Sequence, residues 1–234
     1  MADRVATSVG LPVTEGVGRI PGFVNCYIYQ AGEGTFLIDT GFRRKAQPVV
    51  RAFGAAQVPL TNVRRILLTH HHFDHRGGAA YLLENSHAPV SCHADDVAFV
   101  DGRATAPMSL LLRLFLRARP APVATALHDS DRVGPLTVLH LPGHTPGEVA
   151  FYEPARKILF SGDSVVEHEG RLTLPAPKVA SNLEQAIRSL DRLRDLDIEL
   201  LLPGHGLPVT KGVSDFLKDL LRRAPAQYLN RTPA

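Results

Sequence analysis

The chain has 234 residues, 44% of them hydrophobic and 21% charged, an ordinary balance for a globular protein with a real core. That excludes intrinsic disorder, collagen-like repetition and coiled coil, and the longest apolar runs, such as 110–116 with Arg113 inside it, fall short of a membrane span. A net charge of +3 is too mild to argue for nucleic acid. Two cysteines, Cys26 and Cys92, give no disulfide framework, and residues 1–7 carry no apolar leader, so the expected compartment is the cytoplasm.

In chain order, the alternation in 25–29 predicts a strand, turned by 31–34 into a second strand at 35–38. A helix is expected over 43–56, then a short buried strand at 64–69. Residues 77–83 read as a helix and 89–92 as a strand. From 95 to 119 the pattern is helical, broken at Pro107. In the second half, strands fit 137–141, 149–152, 157–160 and 198–202, with helices at 182–196 and 213–223. Strands cluster at the start of each half, and a helix follows each cluster. This suggests two sheets with helices outside them, not one doubly wound parallel sheet. No linker or low-complexity stretch divides the chain, which reads as a single domain over 1–234.

The histidines carry the first chemical signal. Four of the 11 fall within residues 70–75, where chance would place about 0.3. The strand at 64–69 delivers His70-His71-His72-Phe73-Asp74-His75 at its carboxyl end. Residues 70 and 72 of an extended segment point to one side, so two imidazoles can meet one metal ion. Asp74 and His75 lie a step further, beside Gly77-Gly78, and can reach a second ion. Three more ligand-type residues sit at sharp Gly-flanked turns after strands: His144 in 141–147, Asp163 in 160–164 and His205 in 202–206. Seven candidate ligands result: His70, His72 and His144 for one ion, Asp74, His75 and His205 for the other, and Asp163 able to bridge both. Imidazole and carboxylate together suit zinc, iron and manganese. His71 is expected to point away from its neighbours' metal, and Asp39 to act as a strand-end hydrogen bonder. His87, His93, His128, His140 and His168 lack motif context and read as surface or core residues.

The HxHxDH run, GHTPG, SGD and PGHG, in this order and spacing, resemble the metallo-β-lactamase superfamily, and 25–27 with 37–41 is similar to that family's opening hairpin. The resemblance spans roughly residues 20 to 210. It implies an α/β fold, the αββα sandwich of two mixed β-sheets flanked by helices, with a dinuclear site along one edge. It also implies two divalent ions, zinc first and manganese or iron as alternatives. Such ions share a water and supply hydroxide as nucleophile. Asp74 is the expected catalytic residue, orienting the nucleophile and carrying a proton to the leaving group.

The expected activity is metal-dependent hydrolysis of an ester, thioester or lactone in a small-molecule substrate. A mononuclear-iron persulfide dioxygenase is the alternative, and a β-lactam hydrolase a weaker one. Secreted zinc β-lactamases usually carry Cys or Ser where this chain has Asp163. Glyoxalase II enzymes resemble it in all seven ligands but end in a helical, basic glutathione-binding region that 206–234 does not match clearly. Family lactonases place a Tyr three residues after the bridging Asp, where this chain has Val166, and the nucleic-acid nucleases of the family carry an extra arm. The apolar stretch 107–117 could line an acyl-chain pocket, form a homodimer seam, touch a membrane surface without insertion, or pack in the core.

Overall fold

The computed structural model describes residues 9–32, 34–42, 45–105 and 118–226. They divide into two compact units between Leu127 and His128, and each unit holds one large sheet with helices packed on it.

The first unit contains strands β1 (Leu11–Thr14), β2 (Val17–Ile20), β3 (Cys26–Ala31), β4 (Gly34–Ile38), β5 (Val63–Leu67), β6 (Val90–His93) and β7 (Val123–Leu127), hydrogen-bonded in that order. The first four form an antiparallel meander, and β4 through β7 run parallel. Parallel neighbours need crossovers, supplied by helix α1 (Gln47–Ala55), by α2 (Phe73–Arg76) with α3 (Ala79–Ser86), and by α4 (Val97–Val100). Period-2 alternation sorts β3 into two faces. Cys26 and Ile28 join Val49 and Phe53 of α1 and Leu82 of α3 in one apolar core, while Tyr27 and Tyr29 are buried on the opposite face. Val49 and Phe53, four residues apart on α1, are its buried stripe, each worth about 1.5–3 kcal/mol of burial.

The second unit contains β8 (Arg132–Val133), β9 (Leu136–His140), β10 (Val149–Glu153), β11 (Ile158–Gly162), a separate hairpin of β12 (Val166–His168) with β13 (Arg171–Thr173), and β14 (Leu200–Pro203). The sheet order is β14-β11-β10-β9-β8, antiparallel except for the β11–β14 pair. Helices α5 (Leu183–Ser189) and α6 (Val213–Ala224) cover it. Ala186, Ile187, Leu217 and Leu220 meet Leu139, Leu159 and Leu201 of the sheet in this unit's own core.

Two large mixed sheets flanked by helices match the fold class read from the sequence. Several elements differ. Of the helix expected over 95–119, the described part up to 105 holds a 3₁₀ turn at Ala94–Asp96 and the single turn of α4. It stops because Gly102 takes φ +84° and turns the chain; residues 106–117 lie outside the described residues. The helix expected over 182–196 becomes α5 followed by the 3₁₀ turn Leu190–Leu193. Strands β1, β2, β8, β12 and β13, of two to four residues, and β7, with three successive exposed positions, are not predicted from the sequence, because their pairing depends on partners rather than on alternation. No helix among the described residues is long and apolar enough to cross a membrane.

Candidate metal centre

In the first unit the motif 70–75 is held by the end of β4. Asp39, at φ +57°, aims its carboxylate across to the segment leaving β5. The Thr69 N–H donates to Asp39 Oδ1 and the Thr69 hydroxyl to Oδ2, both at 2.9 Å. His75 Nδ1 lies 2.8 Å from Asp39 Oδ2, and His70 Nδ1 lies 3.1 Å from Thr69 Oγ1. Engaging Nδ1 in this way orients a ring to offer Nε2, the arrangement that metal-ligating imidazoles show. The His75 carbonyl accepts from both the N–H and the hydroxyl of Thr40 at 2.7 Å. The chain then leaves through Gly77 and Gly78. A Cβ on Gly77 would sit 2.5 Å from the Phe42 and Phe73 carbonyl oxygens, and one on Gly78 2.6 Å from Ala46 Cβ, so only glycine permits this approach.

The result is a buried cluster. His70 and His75 have no exposed surface, and Asp74 is buried in the first turn of α2. The His70 ring centre is 4.8 Å from that of His72 and 4.0 Å from that of His75. His71 turns elsewhere: its N–H donates to Asp96 Oδ2 at 2.8 Å, its Nδ1 lies 2.9 Å from Asp96 Oδ1, and its ring stacks on Phe99 at 4.3 Å. Asp96 is wholly buried, and Arg76 closes the group by donating its Nε–H to the His71 carbonyl at 2.7 Å. Burial pushes the Arg76 guanidinium down from its ordinary value, with Asp96 opposing. Beside the motif, Phe42 contacts Phe23 at 5.7 Å and Phe73 at 5.4 Å between ring centres. Phe23 is 71% exposed and Phe42 37%.

In the second unit three turns bear the remaining candidates. Gly143, before His144, takes φ +136°, and a Cβ there would lie 2.1 Å from the Ala186 nitrogen. The chain after His144 returns through Glu148, whose carbonyl accepts the Leu141 N–H at 2.8 Å. The His144 carbonyl accepts from Ser181 N–H at 2.9 Å, just before Asn182 caps α5. Asp163 follows Gly162 (φ +53°) at the end of β11, and its N–H donates to Glu148 Oε1 at 2.9 Å. His205 follows β14, and Glu167 of β12 latches its turn: the Glu167 N–H reaches the His205 carbonyl at 3.1 Å, and its Oε2 accepts the Leu207 N–H at 2.7 Å.

These turns bring the side chains together. Asp163 Oδ2 lies 3.4 Å from His144 Nε2 and 3.5 Å from His205 Nε2, so one carboxylate oxygen stands between two imidazoles. His144 and Asp163 are buried, while the His205 side chain is 31% exposed. Beside them is a cavity of about 10 Å³ whose lining includes His144, Asp163, Ser164, Leu174, Leu183 and Ala186, room for about one water. In each unit the donor set, imidazole nitrogens beside a hard carboxylate oxygen, fits a divalent metal ion.

Neither cysteine is built as a nucleophile. Burial, with Asp96 adding to it, pushes the Cys92 thiol up to about 12, and burial with Asp39 raises Cys26 well above its ordinary value. The apolar stretch 107–117 lies outside the described residues. Sequence reasoning missed Thr40, Thr69, Asp96, Glu148 and Glu167. Only Glu148 carried a local signal, an acid directly after the GHTPG turn.

The family model for the metallo-beta-lactamase superfamily matches residues 19–205. The probable metallo-hydrolase YybB of Bacillus subtilis (strain 168) is 27% identical, over 80% of this chain and 82% of its own length. The acyl-coenzyme A thioesterase MBLAC2 of Gallus gallus is 30% identical, over 77% of this chain and 72% of its own. The crystal structure of TTHA1623 in a di-iron-bound form is 33% identical and superposes with a TM-score of 0.66, covering 85% of this chain and 96% of that one. The chain belongs to the metallo-β-lactamase superfamily and is a metallo-hydrolase.

Proposed function

We propose that the two units work as one domain in which His70, His72 and His144 hold one divalent ion, Asp74, His75 and His205 a second, and Asp163 bridges them. The observation that carries this reading is the Asp163 carboxylate oxygen, 3.4 and 3.5 Å from two imidazole nitrogens. Zinc is the ion we assign, and a small-molecule acyl compound in the cytoplasm the substrate. When bound, such ions lower the pKa of a coordinated water toward neutrality and polarise an acyl carbonyl.

The chain's own residues divide the remaining work. Asp39 and Thr69 set the His75 and His70 rings, and Asp74 orients the attacking oxygen and accepts its proton. Among ester, lactone and thioester, the thioester is favoured. Val166, an apolar residue buried on β12, occupies the position three residues after Asp163 where family lactonases carry a Tyr, so this position offers no hydroxyl to assist departure of an alkoxide. A thiolate, with an ordinary pKa of about 8.5, departs with little such help. The exposed Phe23 and Phe42 offer an apolar surface to an acyl chain, and the resemblance to an acyl-coenzyme A thioesterase agrees.

The test is the initial hydrolysis rate of zinc-loaded protein on a long-chain acyl-coenzyme A, S-lactoylglutathione and a long-chain acyl-homoserine lactone. Metal-dependent turnover of either thioester, faster than the lactone, is expected. Turnover of the lactone alone would overturn the thioester assignment, and oxygen uptake with one iron per chain would overturn the hydrolytic one.

A further inference from the structure

We infer that Glu148 is a positioning residue for the metal centre, joining the turn that carries His144 to the turn that carries Asp163. The inference rests on the reading of those two residues as ligands. Glu148 is wholly buried. Removing a carboxylate from water is costly, so a buried one needs compensation from what it holds. Its main chain closes the His144 turn, since its carbonyl accepts the Leu141 N–H at 2.8 Å. Its side chain reaches out of that turn, and Oε1 accepts the Asp163 N–H at 2.9 Å.

One residue therefore ties two ligand-bearing segments, one before β10 and one after β11, at the point where their donor atoms stand 3.4 Å apart. Asp163 needs such a tie. It follows a left-handed Gly162, where the β11–β14 register is irregular between Phe160 and Gly162. Glu148 supplies an acceptor for the Asp163 N–H and so sets the direction from which the Asp163 carboxylate leaves the backbone.

The required property is the reach of an oxygen acceptor. Glu148→Gln keeps that oxygen at the same distance, Glu148→Asp withdraws it by one methylene, and Glu148→Ala removes it. The test compares zinc stoichiometry and dissociation constant, by competition with a chromophoric chelator, in full-length wild type and the three variants. Melting of the metal-free proteins and the kcat and KM of any thioester the wild type turns over are read alongside. Glu148→Gln should bind zinc within about threefold of wild type. Glu148→Asp and Glu148→Ala should bind at least about tenfold more weakly, the range that outer partners of metal ligands command, and lose kcat with little change in KM. Wild-type affinity in Glu148→Asp, or equal weakening in Gln and Asp variants that melt normally without metal, overturns the inference. Should Glu148→Ala fail to fold, the Gln-against-Asp comparison decides it. A wild type that takes up no zinc, manganese or iron overturns the ligand reading and this inference with it. Zinc uptake with unaffected variants overturns this inference alone.

Discussion

Asp39 Oδ2 lies 2.8 Å from His75 Nδ1 while accepting the Thr69 hydroxyl at 2.9 Å. A single carboxylate at the end of β4 thus orients one imidazole directly and a second, that of His70, through Thr69.

Replacing Asp39 with Ala therefore loosens two candidate ligands and leaves the buried Thr69 N–H without its acceptor. Zinc affinity should fall by about 10–100-fold, and the metal-free protein should lose about 1–3 kcal/mol for the orphaned donor. Chelator competition and urea denaturation read the two effects separately. Unchanged affinity in Asp39→Ala would show that the rings hold their orientation without it.

Gly143→Ala should be among the most damaging conservative changes in the second unit. The new methyl group would meet the Ala186 nitrogen at 2.1 Å, and φ +136° excludes an ordinary side chain. Backbone strain and overpacking each cost about 1–3 kcal/mol, so a loss of at least about 3 kcal/mol is expected in chemical denaturation. A loss under 1 kcal/mol would mean that α5 yields easily.

The Phe23–Phe42–Phe73 contact predicts chain-length selectivity. Phe23→Ser and Phe42→Ser should raise KM for long-chain acyl thioesters several-fold more than for short-chain ones. Phe23→Ser should leave the melting temperature unchanged, because that side chain is mostly exposed. KM rising equally for all chain lengths would remove the aromatic surface from acyl recognition.

Alkaline stability follows from Cys92. Its folded pKa is raised to about 12, above an unfolded value of about 8.5. Between those values the unfolded chain releases a proton that the folded chain retains, so this contribution is complete below pH 8.5 and declines as pH rises toward 12. Urea midpoints at pH 8 and pH 10 should fall for the wild type and fall less for Cys92→Ala. Equal declines would place the effect elsewhere.

The candidate ligands were legible because each is announced by local chemistry: a histidine run after a buried strand, or a polar residue between glycines after one. Their supports were not. Asp96 and Glu167 look like any surface acid, and only tertiary pairing gives them His71 and the His205 turn as partners. Short edge strands such as β1 and β12 were lost for the same reason, since their hydrogen bonds, not their side chains, define them. In the described part of the helix read over 95–119 the error is the opposite one, since helical spacing was carried through 101–105, where Gly102 turns the chain.

One feature of the first unit bears on how the protein is made. The bonds that Asp39 and Thr40, just after β4, make to Thr69, His75 and Gly78 are all contained between Asp39 and Gly78. Because synthesis runs from the amino terminus, a chain still on the ribosome has acquired this entire imidazole cluster, with its orienting acid, before His144 has been added. The order of translation delivers four of the seven candidate ligands first as one contiguous package and the other three later, one turn at a time.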